Sequence, residues 1–158
     1  MSLEIERRFI VTGDVRHLCR DGDRIIQGYL PADGPQTVRV RLRGDTGFLT
    51  IKGPRQGCVR VENEWEIDPH LAWQVLCWSC SGAILRKTRY CIRHAGFDWE
   101  LDVFEGRHAG LVIAEVELAS ADQPVSLPDW VGPEITGDRR YSNSSLARQE
   151  CDDMADAA

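Results

Sequence analysis

The feature that most constrains this chain is a period of two, repeated in segment after segment, with charges gathered on one side of each alternation. In "LEIERRFIV" Glu4, Glu6 and Arg8 fall on one side, Leu3, Ile5 and Phe9 on the other. "VRVRLR" alternates Arg39, Arg41 and Arg43 with Val38, Val40 and Leu42, and "VENEWEI" sets Glu62, Glu64 and Glu66 against Val61, Trp65 and Ile67. Successive side chains of a strand point to opposite faces, so this pattern predicts half-buried β-strands. Strands are expected at 3–11, 23–31, 36–43, 47–53, 58–67, 83–93, 97–104 and 111–119. Gly, Pro and Asp punctuate them, and "GDTG" at 44–47 and "HAGF" at 94–97 have the composition of hairpin connections.

One helix is expected over 69–80, with Pro69 in its first turn behind Asp68 as N-cap and Leu71, Val75 and Trp78 on one face. A second follows "YSNSS", capped by Ser142 or Asn143, and 151–158 is expected to fray. The fold class is therefore α+β and mainly β, in a single domain over 1–150, a length sufficient for an ordinary core. The 158 residues carry a net charge of −6, which argues against a general binder of nucleic acid or anionic membrane. The chain opens on charged residues and has no long apolar run, so a cytoplasmic protein is expected. Six cysteines are present, and the one suggestive pair, Cys77 and Cys80 in "CWSC", lacks histidines at ligand spacing. Both read as small buried residues of the helix.

The same-face stripes continue through Lys87 and Arg89, through Asp98, Glu100 and Asp102, and through Glu115 and Glu117. A solvated sheet face normally mixes signs, because like charges two residues apart on a strand repel. A face that collects this many cations and carboxylates suits a polyanion gripped by Lys and Arg, with divalent cations on the carboxylates bridging to it. Closing the sheet around that face gives a barrel with a charged interior and no free edges. The apolar outer residues Ile5, Val40, Trp65 and Leu101 then need covering, expected from the helices, and Trp65 and Trp99 read as core.

These segments resemble the CYTH superfamily, or triphosphate tunnel metalloenzymes. The carriers are Glu4-Ile5-Glu6-Arg7-Arg8 in place of a Glu-x-Glu-x-Lys signature, then "VRVRLR", "LTIKG", "VENEWEI", "LRKTRY", "WELDVF", "AEVEL" and "DRRYSNSSLA", in the family order along the whole chain. The resemblance implies a closed eight-stranded antiparallel tunnel that hydrolyses or rearranges triphosphates with Mg2+ or Mn2+. The "YSNSSLA" ending looks most like the short bacterial inorganic triphosphatases, which cleave tripolyphosphate to pyrophosphate and phosphate. Nucleoside or thiamine triphosphate hydrolysis, adenylate cyclisation and non-catalytic polyphosphate or nucleotide binding remain as alternatives.

Carried over residue by residue, Glu4, Glu6, Glu115 and Glu117 would hold the principal metal ion, while Glu62, Glu64 and Asp102 would serve a second ion or orient the attacking water. Arg8, Arg39, Arg41, Lys52, Lys87 and Arg89 would bind the phosphates, with Lys87 and Tyr29 beside the reacting group. Arg8 departs from the family lysine. It keeps the charge but cannot exchange a proton near neutral pH, so a clamp is expected there. The expected partner is a small triphosphate, with no nucleic acid and no membrane. Homodimerisation and closure of one tunnel end by the C-terminal segment stay open.

Overall fold

The computed structural model describes residues 2–80 and 82–155, with side chains described through residue 149. Nine strands follow in chain order: β1 (Ser2–Val11), β2 (Asp23–Leu30), β3 (Thr37–Arg43), β4 (Thr46–Lys52), β5 (Val59–Ile67), β6 (Ile84–His94), β7 (Phe97–Phe104), β8 (Val112–Glu117) and β9 (Val131–Glu134). Helix α1 (Pro69–Ser79) lies between β5 and β6, and α2 (Asn143–Ala155) ends the chain. The expected tail at 151–158 falls on the backbone end of α2 and, beyond 155, outside the described residues.

All pairings are antiparallel, in the order β5-β4-β3-β2-β6-β7-β8-β1, and a further β5–β1 pairing closes the cylinder. β1 divides its second edge. Ser2–Ile5 pair with β5, and Phe9 and Val11 pair with β9, while Glu6–Ile10 pair with β8 on the opposite edge. The turns are as tight as the sequence implied: Gly44 (φ 55°) lies between β3 and β4, and Ala95 and Gly96 (φ 48° and 86°) join β6 to β7.

Three apolar clusters hold this frame. Under α1, Ala72, Leu76 and Cys80 pack on Val40 with Ile26, Leu42 and Leu49 around them. The Asp68 carboxylate caps the helix by accepting from the His70 and Leu71 amides at 2.9 and 3.0 Å. Gly28 lets it seat closely, since a Cβ there would lie 2.5 Å from the Cβ of Cys80. On the far wall Phe9, Trp99, Leu101, Ala114 and Val116 form the second cluster, with Trp99 edge-on to Trp130 at 5.7 Å. The third joins Tyr29, Leu85, Phe104 and Ile113 of the wall to Ile135, Leu146 and Ala147, so the C-terminal segment packs against the inner face at the ends of β2, β6, β7 and β8.

Several expectations change here. Leu101 and Ile5 are covered by the segments around Val15 and Trp130 rather than by a helix; only Val40 lies under α1. Trp65 is half-exposed rather than core, and on α1 Leu71 and Trp78 are exposed while Ala72 and Leu76 are buried, with Val75 partly buried beside them. Cys80 is buried but Cys77 is exposed, and neither is in a disulfide. Among the described residues, no helix is long and apolar enough to cross a membrane.

Candidate functional site

The inner face of the cylinder carries the charges. Arg39 and Arg41 on β3 face Tyr29 and Gln27 across the β2–β3 ladder, and Lys87 and Arg89 on β6 face Phe104 and Asp102 across β6–β7. Arg8 on β1 is directly opposite Glu115 on β8. All of these charged groups are buried, Lys87 and Asp102 almost completely. An unpaired charge in such an interior costs several kcal/mol, so the residues pair with each other. Lys87 Nζ and Arg89 both hold Asp102, with Arg89 Nε at 2.7 Å from Oδ1. Arg89 Nη2 reaches Glu115 at 2.9 Å, and Arg8 Nε reaches the other oxygen of Glu115 at 2.7 Å. Arg39 and Arg41 each donate to Glu64 at 3.0 Å, and Thr50 Oγ1 donates to it at 2.6 Å.

Closer to the β1–β5 seam, Lys52 Nζ bridges Glu4 at 2.8 Å and Glu62 at 2.6 Å. Arg55, from the β4–β5 connection, reaches Glu6 at 2.5 Å. A cavity of about 540 Å³ opens beside this group, lined by Glu4, Glu6, Glu100, Glu115 and Glu117 among others. The structure places the site residues expected from the sequence, Glu117 apart, on the inner face of the cylinder. Glu117 is the outlier, exposed at the cavity wall, and Arg43 pairs with Asp23 at the rim.

Among the described residues, several inner donors have no protein partner: Arg8 Nη2, Arg39 Nε and Arg41 Nε. Buried N–H groups left this way are rare in finished interiors, and three of them on guanidiniums of one inner face fit an anion with many oxygens. Among the described residues no three carboxylates, histidines or cysteines stand ready as a metal cage. The donor chemistry nevertheless fits a hard divalent cation, since the cavity offers oxygen from several carboxylates. Burial, then the charges of Glu115 and Glu4, push the pKa of Glu6 up, a crowding that such a cation relieves.

The other titrating groups are equally shaped by the interior. Burial lowers Lys87 to about 8, only partly offset by Asp102. Burial also raises Tyr29 to about 12 in spite of Arg39 and Arg8. Burial disfavours ionised Glu115 as well, but Arg8 and Arg89 outweigh it and hold the pKa well below the ordinary carboxylate range.

Four inner or seam residues escaped the sequence reading. Gln27 is fully buried and donates Nε2 to the Tyr29 hydroxyl at 2.8 Å. Gln27, Thr50 and Arg60 are each in phase with a residue already singled out, Tyr29, Lys52 and Glu62, so the period of two could have found them. Arg55 sits on a connection and carries no periodic signal.

A family model described as the CYTH domain matches residues 2–149. The inorganic triphosphatase of Acetivibrio thermocellus is 43% identical over 148 residues, 94% of this chain and 95% of that one. The inorganic triphosphatase of Nitrosomonas europaea is 37% identical over 153 residues, 91% and 96% of the two chains. The crystal structure of the inorganic triphosphatase NE1496 is similar in fold, with a TM-score of 0.66 at 34% identity over 94% of this chain and 96% of that one. With a family model matched along almost its whole length and two relatives above 30% identity over more than nine-tenths of it, the chain, a closed barrel with its charges turned inward, belongs to the CYTH domain family.

Proposed function

We propose that the barrel hydrolyses inorganic tripolyphosphate to pyrophosphate and phosphate with Mg2+ or Mn2+ held by its carboxylates. The observation that carries this reading is the group of five buried cations, Arg8, Arg39, Arg41, Lys87 and Arg89, with three guanidinium N–H groups left over for a ligand. So many like charges in one interior are stable only against carboxylates or a multivalent anion. The similarity to two inorganic triphosphatases points to the same substrate class.

In this reading Arg39, Arg41 and Arg89 grip the phosphate oxygens and hold the chain extended, and Arg8 clamps one end through its free Nη2. Lys87, protonated below about 8, lies where charge builds on the leaving group. Positioning and charge stabilisation supply most of what phosphoryl transfer needs. Tyr29 keeps its proton up to about 12, so it acts as a hydroxyl donor to a phosphate oxygen rather than as a base. Gln27 fixes that hydroxyl by occupying its oxygen. Glu4, Glu6, Glu115 and Glu117 would hold the principal cation, with Glu62, Glu64 and Asp102 available to a second or to the water. When bound, the cation neutralises phosphate charge and lowers the pKa of water.

The deciding experiment is phosphate release from tripolyphosphate, long-chain polyphosphate, ATP and thiamine triphosphate, each with Mg2+, with Mn2+ and with EDTA. Release from tripolyphosphate that is abolished by EDTA is expected. Tight binding without release would leave a binding module, and cyclic AMP formed from ATP would leave a cyclase.

A further inference from the structure

The β1–β5 seam holds a second group of charges, joined to the five central cations where Glu62 comes within 4.0 Å of Arg39. Lys52, Arg55 and Arg60 face Glu4, Glu6 and Glu62, so three cations balance three carboxylates. Arg60 lies directly opposite Glu4, donates Nη2 to the Gly53 carbonyl at 3.1 Å, and has its pKa lowered by burial and then by Arg55. Two guanidiniums set this close repel one another and are held by the carboxylates between them.

Arg55 differs from the rest in its support. It projects from the β4–β5 connection, which a Gln56–Val59 pair and Gly57 (φ 61°) tie into a tight turn. The Cys58 carbonyl of that turn accepts from the Glu6 amide at 3.1 Å. The backbone on both sides is therefore fixed, while the long Arg55 side chain is held only at its tip, where Nη2 donates to Glu6 at 2.5 Å and Nη1 makes a long bond to the Cys58 carbonyl at 3.5 Å. Glu6 also lines the carboxylate cavity, where a divalent cation would compete with Arg55 for its oxygen.

We propose that Arg55 is a substrate-binding residue held in reserve on Glu6. It yields that carboxylate to the divalent cation and turns its freed guanidinium to the outer phosphate of the substrate. The charge count favours such an exchange: a divalent cation adds two positive charges beside a seam in which three cations already balance three carboxylates, and a displaced Arg55 is then stabilised by an anion. Cation and phosphate chain are thereby made to favour each other's binding through one side chain. The inference rests on the triphosphatase reading of the tunnel, and its test separates the two.

Calorimetric titration of MnCl2 into substrate-free protein, and steady-state phosphate release from tripolyphosphate at saturating Mn2+, are compared for wild type, Arg55→Met and Arg55→Lys. Without its competitor, Arg55→Met should bind Mn2+ about fivefold more tightly, the worth of a partly exposed ion pair. Its KM for tripolyphosphate should rise about tenfold with kcat within about twofold, the pattern of lost binding, and Arg55→Lys should restore part of both. Unchanged or weaker Mn2+ affinity in Arg55→Met, or an unchanged KM, overturns the proposal. Wild type that binds Mn2+ but releases no phosphate would remove the triphosphatase reading, while the Mn2+ comparison would still decide whether Arg55 guards Glu6.

Discussion

Arg8 makes two bonds from two different nitrogens of its planar fork, where a lysine offers one. Its Nε holds Glu115 at 2.7 Å while Nη1 donates to the Tyr141 carbonyl at 3.1 Å, tying β1 to the C-terminal segment. Arg8→Lys should therefore keep turnover within about tenfold but lose about 1 kcal/mol of stability with the Tyr141 bond, read by urea denaturation. A gain of several orders of magnitude in turnover would show instead that position 8 must transfer a proton. Gln27 makes a second prediction. Gln27→Leu should lower turnover by roughly tenfold, and in a double-mutant cycle with Tyr29→Phe the two losses should be markedly less than additive. Full additivity would mean that Gln27 does not work through Tyr29. The stripes of charge were readable because strand periodicity reports a side chain's face, and a face sufficed for the central cations. It could not report Arg55, whose place depends on how a connection folds back over β1.

At the level of elements, the α1 start was legible in Asp68 and Pro69, since a cap and a first-turn proline are local signals. Its buried side was not, because which stripe faces inward depends on the wall beneath. Gly28 is the contact that decides it. Gly28→Ala should cost about 1–3 kcal/mol in chemical denaturation, because its methyl meets Cys80 and Leu76. β9 was also missed: four residues that include Gly132 and Pro133 carry no alternation to detect. Its role is to carry the chain to Ile135 and α2, whose Leu146 is buried against the inner wall. Leu146→Ala should cost about 2–5 kcal/mol, and a loss below about 1 kcal/mol would show that the C-terminal segment is only loosely seated.

The whole molecule balances carboxylates of two kinds. Burial raises the pKa of Glu6 and of Glu100, so in the folded state these take up protons more readily than in the unfolded chain, and mild acid stabilises. Glu64, Asp102 and Glu115 are also penalised by burial, but neighbouring cations hold them below their ordinary values. Their contribution is complete above the unfolded carboxylate range near 4.5 and is lost as the pH falls through their folded pKa values. In EDTA the Tm should therefore rise slightly from neutral towards mildly acidic pH and fall below about 4.5. Mg2+ should lift the neutral side most, because it binds the ionised carboxylates. A Tm that only declines on acidification from neutral would contradict the raised values.

A cylinder is as strong as its shortest joint. Among the described residues, the ladder between β1 and β5 runs over Ser2–Ile5 and Val59–Glu62 and is extended by the Glu6 amide on the Cys58 carbonyl, whereas the neighbouring ladders pair more residues. Amide hydrogens along that joint should exchange with deuterium sooner than those of β6 and β7, and the stave they loosen carries Glu4 and Glu6. A divalent cation held by Glu4 and Glu6 of β1 with Glu115 and Glu117 of β8 would steady the stave that borders this joint, so the ion that readies the interior for chemistry would also decide how often the wall parts to admit solvent.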